Sequence, residues 1–285
     1  MSIEFHPVTG HVGAEVTGID LGKANSQESF GELRAGLSKY GVLFFRDQDM
    51  LPEDMVAFGK GFGNLFINDG RIVPKFPGCE GLEELRREPD QKAIVGGDWH
   101  ADQTYREDIC EITSLYAVEV PDFGGDTVFI NTAAVYAHLP EALKRTIKDL
   151  RAVHSHAQII RKGMENIGIF NPRDPRIVND TGEWTHPVVR RHSENGRDCL
   201  FISPGYTERF EGWTREQSLP LLSTLFEFAV LPDFQCRMRW RPGSLAMWDN
   251  RQTWHYASSD YFGKRRVMRR MMVKMDPPAS QTAAA

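Results

Sequence analysis

Hydrophobic and polar positions along this 285-residue chain follow mainly the two-residue period of β-strands, with a few helical segments between them. The opening "EFHPVTGHVGAEVTGIDL" predicts a hairpin with turns at its glycines. A capping box of Asn25 and Glu28 predicts a helix that ends at Gly41. A buried strand in "VLFFRDQ" and a second helix in "LPEDMVAFGKGFG" are predicted next.

Farther along the chain, strands are predicted in "WHADQTY", "EITSLYAVEV", "DTVFIN", "HPVVRRH" and "CLFISPGY". Helices are predicted in "TAAVYAHLPEALKRTIKDL" and in "TREQSLPLLSTLFEFAV", where Thr214 and Gln217 form a capping box and Pro220 should bend the early turns. The segment from Cys236 to Met275 predicts a strand, a turn, a strand, a loop and a strand. This pattern favours a β-rich α+β fold, a sandwich or barrel core with flanking helices.

Two long segments lack regular periodicity, residues 63–98 and residues 155–184. The first contains a charged run, "EELRREPD". The second mixes glycine and proline with apolar residues: Ile159, Ile160, Ile167, Ile169 and Phe170. Because long irregular segments within a compact domain are usually functional, we expect both to be lid-like insertions over a site. No repeat or linker divides the chain, so one domain over residues 1–285 is expected, with a frayed tail from about residue 277.

The composition is that of an ordinary folded protein, with 41% hydrophobic and 26% charged residues. The net charge of −5 disfavours non-specific binding to nucleic acid. The sequence contains no secretory signal and no long apolar run, so we expect a cytoplasmic protein without a membrane partner. The four cysteines lack CxxC spacing and are expected to be free thiols rather than disulfides or zinc ligands.

His100 and Asp102 are the first candidate for chemistry. Residues two apart in a strand share one face, so this pair would supply two of the three ligands of a two-histidine, one-carboxylate iron site. A short motif of this kind is also common as a surface polar pair. The third ligand must come from elsewhere, and the spacing leaves His154, His156 and His255 as candidates.

The basic run "KRRVMRR" near the end of the chain is the second candidate. Its arginines interleave with apolar residues as in a buried strand, which places Arg266, Met268, Arg270 and Met272 on one face. A buried guanidinium needs an anionic partner, and its geometry suits carboxylates and sulfonates. The pattern therefore predicts one or two anionic ligands near the metal.

Four segments together, "WHADQTY", "GGDTVF", "WDNRQTWHYASSDY" and "RRVMRR", resemble the taurine dioxygenase and phenoxyalkanoate dioxygenase family of iron(II)- and 2-oxoglutarate-dependent oxygenases. The resemblance covers the chain from "GAEVTGIDL" to Lys274. It implies a double-stranded β-helix, or jelly-roll, core within a single catalytic domain. It also implies Fe(II), 2-oxoglutarate as cosubstrate, and O2. The reaction implied is hydroxylation of a small acidic substrate, with 2-oxoglutarate decarboxylated to succinate and CO2.

The resemblance also implies a role for each matching residue. The iron ligands, and hence the catalytic residues, would be His100, Asp102 and His255. Thr127 and Arg266 would hold the distal carboxylate of 2-oxoglutarate. Arg270 would meet an anionic group of the primary substrate.

Two positions depart from the taurine-specific pattern. Asn68 stands where those relatives have a sulfonate-binding histidine, so we take it as a substrate-binding residue, and Gly96 stands where they have an asparagine. These changes favour an aryloxyalkanoate, alkyl sulfate or other sulfonate over taurine. The alternatives are taurine dioxygenase itself, a non-redox jelly-roll module that binds a small anion, and a zinc hydrolase with the same ligands. We expect a homo-oligomer, a dimer or tetramer.

Overall fold

The computed structural model describes residues 2–23, 25–68, 73–91, 97–166 and 182–276. These ranges contain sixteen β-strands and six α-helices, so the predicted β-rich α+β class is confirmed. The helices are α1 (Gln27–Tyr40), α2 (Pro52–Lys60), α3 (Thr132–His138), α4 (Glu141–Ile147), α5 (His156–Asn166) and α6 (Arg215–Ala229). The strands are β1 (Glu4–Pro7), β2 (Ala14–Thr17), β3 (Val42–Phe45), β4 (Gly63–Leu65), β5 (Leu82–Arg87), β6 (Ile112–Glu119), β7 (Thr127–Asn131), β8 (Arg151–Ser155), β9 (Glu183–Pro187), β10 (Val189–Arg191), β11 (Asp198–Leu200), β12 (Thr207–Phe210), β13 (Gln235–Met238), β14 (Leu245–Asp249), β15 (Thr253–Ala257) and β16 (Arg266–Met275).

An eight-stranded sheet forms the larger layer, with the order β1-β2-β3-β14-β6-β16-β4, and β5 also pairs with β16. Strand β16 therefore pairs with β6 on one side and with β4 and β5 on the other. One face of this sheet packs under α1 and α2 through a large apolar cluster that includes Leu33, Leu37, Met55, Met271 and Val273. The alternation along β16 leaves Arg266, Met268 and Arg270 on the opposite face.

A three-stranded sheet, β13-β7-β15, covers that opposite face. Aromatic and aliphatic side chains from both sheets form a shared cluster, among them Phe44, Phe129, Trp248 and Met268. Trp248 and Phe129 are almost fully buried and lie 5.5 Å apart between ring centroids. Face-to-face packing of two sheets in this way leaves a narrow space between them, and β15 and β16 both border it.

Several predicted elements are confirmed with small changes. The opening hairpin is the antiparallel pair β1–β2, and α1 ends at Gly41, whose φ of 78° is one that glycine adopts freely. The predicted cap of α1 is wrong, because the Asn25 amide binds the carbonyl of Lys23 and Ser26 caps the helix by accepting from the Ser29 N–H. Helix α6 has the predicted capping box and continues through Pro220 to its end.

Three predictions need correction. The segment "WHADQTY" is not a strand, since it forms turns after a single bridge between His100 and His255. The two segments predicted to lack regular structure do contain it, since β4 and β5 lie within residues 63–98 and α5 lies within residues 155–184. The closing segment contains four strands, β13 to β16, because a turn separates β14 from β15.

Some predictions fall outside the described residues: Gly96, Ile167, Ile169, Phe170 and the tail from residue 277. The four cysteines are free and buried, as expected. Across the described ranges, no helix is long and apolar enough to cross a membrane.

Candidate active site

His100, Asp102 and His255 meet in the space between the two sheets. Asp102 Oδ1 lies 3.6 Å from His100 Nε2 and 3.8 Å from His255 Nε2. One ligand atom from each residue lies within 4.8 Å of the others, and all three side chains are buried. Within the part of the chain that the structure describes, these residues form the one such group with metal-binding potential.

Backbone pairing brings these distant residues together. His100 and His255 exchange two backbone hydrogen bonds, of 3.1 Å and 2.8 Å, so β15 holds the His100 backbone directly beside His255. The chain then turns tightly at Gln103, whose φ is 60°. Asp102 is fixed within this turn because its N–H donates to Asn250 Oδ1 at 3.0 Å. The two ligands of the His-x-Asp motif thus converge through a turn rather than through strand alternation.

Hydrogen bonds orient the ligand atoms. His100 Nδ1 lies 2.7 Å from the carbonyl oxygen of Asp98, which can only accept, so His100 carries its proton there and leaves the Nε2 lone pair free. Asp102 Oδ2 accepts from the Thr113 hydroxyl at 2.7 Å, which leaves Oδ1 directed at the two histidines. His255 Nδ1 is buried without a protein partner among the described residues.

The electrostatics fit metal binding. Burial, together with the neighbouring His100, lowers the pKa of His255 to about 3, so the imidazole is neutral at physiological pH. Burial acts to raise the pKa of Asp102, but His255, His100 and Arg270 hold that pKa below its ordinary value. Two imidazoles and one carboxylate form a donor set that suits Fe(II). Zinc accepts the same donors, so the donor set alone leaves the choice of metal open.

Thr127 and Arg266 meet at Trp240. The Thr127 hydroxyl accepts a hydrogen bond from Trp240 Nε1 at 3.0 Å, and the Arg266 guanidinium carbon lies 5.9 Å from a Trp240 ring centroid. Arg266 Nη2 donates to the carbonyl of Gly125 at 3.2 Å, while its Nε has no partner in the described residues. Burial lowers the pKa of Arg266. A buried guanidinium with a free N–H is suited to receive an anion.

Arg270 and Asn68 both bind Glu83, a residue that the sequence analysis did not select. Glu83 Oε2 lies 2.7 Å from both Nε and Nη2 of Arg270, and Glu83 Oε1 accepts from Asn68 Nδ2 at 3.0 Å. Only 4% of the Glu83 surface is exposed. The positive charge expected to meet a substrate is therefore already balanced by a carboxylate of the same chain.

The other two candidate histidines lie elsewhere. His154 Nδ1 is 2.9 Å from the Thr104 hydroxyl, and the His154 ring packs edge-on against His186. The His156 ring lies 4.6 Å from that of Tyr105. Neither belongs to the group formed by His100, Asp102 and His255, so His255 is the histidine that joins the His-x-Asp pair.

Comparisons with known proteins agree with this geometry. A family model described as "Taurine catabolism dioxygenase TauD, TfdA family" matches residues 4–272. The chain belongs to this family. The TauD/TfdA family resemblance inferred from the sequence motifs is thereby confirmed.

Individual relatives cover nearly the whole chain. The α-ketoglutarate-dependent sulfate ester dioxygenase of Pseudomonas putida is 31% identical over 98% of this chain and 91% of its own length. The α-ketoglutarate-dependent 2,4-dichlorophenoxyacetate dioxygenase of Cupriavidus pinatubonensis is 30% identical over 95% of this chain and 97% of its own. The crystal structure of a taurine dioxygenase from Burkholderia xenovorans matches with a TM-score of 0.81 and 30% identity, covering 97% of this chain and 90% of that one. This TauD/TfdA chain is an enzyme of the α-ketoglutarate-dependent dioxygenase class.

Glu83 lies in the charged run "EELRREPD" of this TauD/TfdA chain, within a segment that the sequence predicts to be irregular. Strand β5 reads "LEELRR", and its register with β16 sets Glu83 opposite Arg270. Had the run been taken as a strand, its alternation would have put Glu83 and Arg87 on one face.

Proposed function

We propose that this chain hydroxylates a small organic substrate with an acidic group, using Fe(II), 2-oxoglutarate and O2. The substrate is an alkyl sulfate, a sulfonate or an aryloxyalkanoate, and 2-oxoglutarate is decarboxylated to succinate and CO2. The observation that carries the proposal is the buried group of His100, Asp102 and His255. The similarity to relatives named as a sulfate ester dioxygenase and a dichlorophenoxyacetate dioxygenase supports this substrate class.

In this proposal Nε2 of His100, Oδ1 of Asp102 and Nε2 of His255 hold the iron. With iron bound, the site would supply the chemistry that couples the reduction of O2 and the oxidation of 2-oxoglutarate to hydroxylation of a substrate carbon. The surrounding residues fix the ligands, since the Asp98 carbonyl sets the His100 tautomer and the Thr113 hydroxyl directs the carboxylate. Thr127 and Arg266 hold the distal carboxylate of the cosubstrate by hydrogen bonding and charge.

The walls near the metal group support a substrate with an apolar body. The Tyr206 ring lies 5.8 Å from the His100 ring, and the Tyr105 ring lies 5.4 Å from Tyr206. A side chain added at Gly205 would lie 3.1 Å from His100 Cβ and 3.4 Å from Ile159, so α5 also approaches this region. Aromatic and aliphatic surfaces of this kind suit an aryl or alkyl group. The acidic group of the substrate would share Arg270 with Glu83 and contact Asn68.

We also propose that residues 1–285 form one catalytic domain, with the two facing sheets as a double-stranded β-helix. The parts of the predicted lids around β5 and α5 would close over the substrate. A cytoplasmic location and a homo-oligomeric state complete the proposal, and neither nucleic acid nor membrane is a partner in it.

Succinate release tests the proposed function directly. Purified protein with Fe(II), 2-oxoglutarate and O2 is screened against taurine, alkyl sulfates, other alkyl sulfonates and phenoxyalkanoates. The proposal expects succinate in amounts equal to the hydroxylated product, dependent on O2 and on an acidic substrate. A zinc hydrolase would form product without O2, and a non-redox binding module would bind ligand without releasing succinate. Either result would refute the proposal.

A further inference from the structure

Strand β5 places side chains of opposite charge beside the two arginines of β16. The two strands are antiparallel, and residues directly opposite each other have Cβ atoms about 4.5–5.5 Å apart on the same face. The cross-strand pairs are Glu83 with Arg270, Leu85 with Met268, and Arg87 with Arg266. Arg270 therefore stands beside a carboxylate, whereas Arg266 stands beside a second guanidinium.

Arg87 is buried and incompletely bonded. Only 6% of its surface is exposed. Its Nε donates to the carbonyl of Gln91 at 3.1 Å, but Nη1 and Nη2 have no hydrogen-bond partner among the residues that the structure describes. The neighbouring Arg266 Nε also has none there. Within the described ranges, three buried guanidinium nitrogens of two cross-strand neighbours thus lack acceptors, an arrangement that is costly unless a ligand supplies them.

The positive charge of this region is also unbalanced. The Arg87 and Arg266 guanidinium carbons lie 4.4 Å and 5.8 Å from the centroid of the same ring, that of Tyr261. Across the described ranges neither arginine forms an ion pair. Neighbouring acidic groups are engaged by other arginines: Glu88 and Glu119 by Arg265, and Asp126 by Arg237. Two like charges side by side in a buried site favour an anion with several acceptor atoms.

We propose that Arg87 is a second cosubstrate-binding residue, which with Arg266 clamps the distal carboxylate of 2-oxoglutarate. A carboxylate offers two oxygens with about four lone-pair sites, enough for the three unpartnered nitrogens. The inference rests on the proposed function, because it assumes that 2-oxoglutarate is the cosubstrate. It adds a residue that the family resemblance did not supply, since only Thr127 and Arg266 were expected to hold this carboxylate.

Binding of two related ligands separates this role from a structural one. The dissociation constants of 2-oxoglutarate and of 2-oxopentanoate, which lacks the distal carboxylate, are measured by calorimetry on anaerobic Mn(II)-loaded protein. In Arg87→Gln the dissociation constant of 2-oxoglutarate should rise about ten- to a hundredfold, the usual range for losing a hydrogen-bonded charged partner. The dissociation constant of 2-oxopentanoate should change less than about twofold, because this ligand lacks the carboxylate that Arg87 would bind.

Control variants on the same two strands complete the design. Arg86→Gln changes the adjacent arginine of β5, which is half-exposed and paired with Glu84, and should leave both constants unchanged. Arg266→Gln should weaken 2-oxoglutarate binding selectively, as Arg87→Gln does. Arg87→Lys keeps the charge and should recover part of the affinity.

Stability provides a second readout. Without ligand, Arg87→Gln removes like-charge repulsion and should melt at the same temperature as the wild type or higher, whereas a structural Arg87 predicts a lower one. Added 2-oxoglutarate should raise the melting temperature of the wild type more than that of Arg87→Gln. Unchanged 2-oxoglutarate affinity in Arg87→Gln, with normal wild-type binding, would overturn the role of Arg87 alone. A wild-type protein that binds Mn(II) but not 2-oxoglutarate would overturn the proposed function as well.

Discussion

Replacing Arg270 by alanine should destabilise the fold as well as impair substrate binding. In the wild type the Glu83 carboxylate is paired with Arg270 at 2.7 Å, and the Glu83 side chain is only 5% exposed. Arg270→Ala leaves this carboxylate with Asn68 as its remaining hydrogen-bond partner among the described residues. Because an uncompensated buried charge costs about 3–5 kcal/mol, the variant should lose that much free energy of unfolding. This is a large share of the roughly 5–15 kcal/mol total of a typical domain.

The charge on Glu83 is the cause in this reasoning, and a double variant tests it. Glu83→Gln keeps an oxygen that can accept from Asn68 but removes the negative charge. The double variant Arg270→Ala, Glu83→Gln should therefore recover about 2–3 kcal/mol relative to Arg270→Ala. Glu83→Gln alone should lose less than Arg270→Ala, because Asp102 remains near the Arg270 charge.

Urea unfolding of the metal-free protein measures these four free energies without interference from ligands. Activity is then measured well below the melting temperature of each variant, so that loss of substrate binding is not confused with loss of folded protein. A loss below about 1 kcal/mol in Arg270→Ala, or no rescue in the double variant, would refute the view that Glu83 depends on Arg270 for compensation.

Three further predictions follow from the site. Asp102→Ala should abolish turnover and weaken metal binding at least about tenfold, and near-normal activity would remove Asp102 from the ligand set. Arg266→Ala should weaken 2-oxoglutarate binding by about 1.5–3 kcal/mol, measured by calorimetry, with Arg265→Ala on the other face of β16 as the control. Burial holds the pKa of His154 at about 3 and that of His186 at about 4, below the ordinary 6.5. As the pH falls, the unfolded chain binds protons at these histidines before the folded chain does. The free energy of unfolding should therefore fall from pH 6.5 towards pH 4 by about 1.4 kcal/mol per pH unit for each histidine. A free energy of unfolding in urea that does not change over this pH range would contradict the prediction.

The sequence located the metal group but misjudged the local structure that forms it. His100 and Asp102 were paired on the assumption of a strand, whereas a bridge to His255 and a turn at Gln103 bring them together. The choice of His255 came from resemblance, because spacing left three histidines open. The backbone bridge between residues 100 and 255 selects His255 as the third member of the group. A single sequence does not show which distant segments will form such a bridge.

The predicted lack of regular structure in residues 63–98 and 155–184 is wrong for a similar reason. Strand β5 alternates between two faces that are both rich in charge, so it lacks the apolar–polar alternation that identifies a strand. Its partner is β16, nearly two hundred residues away. The α5 segment lies among glycines and prolines that favour a loop, yet residues 156–166 form a helix. For β5 the pairing with a distant strand overrides the local pattern, whereas residues 156–166 follow the helical period themselves and only the flanking glycines and prolines suggest a loop.

The pairing of β5 with β16 gives a physical reason for the different ligands proposed for two similar arginines. On β16 alone, Arg266 and Arg270 would present equal charges four residues apart, and either could attract a carboxylate of 2-oxoglutarate. The partner strand makes them unequal, because Arg87 adds a positive charge beside Arg266 and Glu83 cancels the charge of Arg270. A free carboxylate should therefore bind at the Arg266 end, where three nitrogens lack a partner in the described residues, rather than compete with Glu83 at the other end. In the proposed function the substrate acid meets Arg270 only by sharing it with Glu83, so the affinity of this substrate should come largely from contacts of its apolar body.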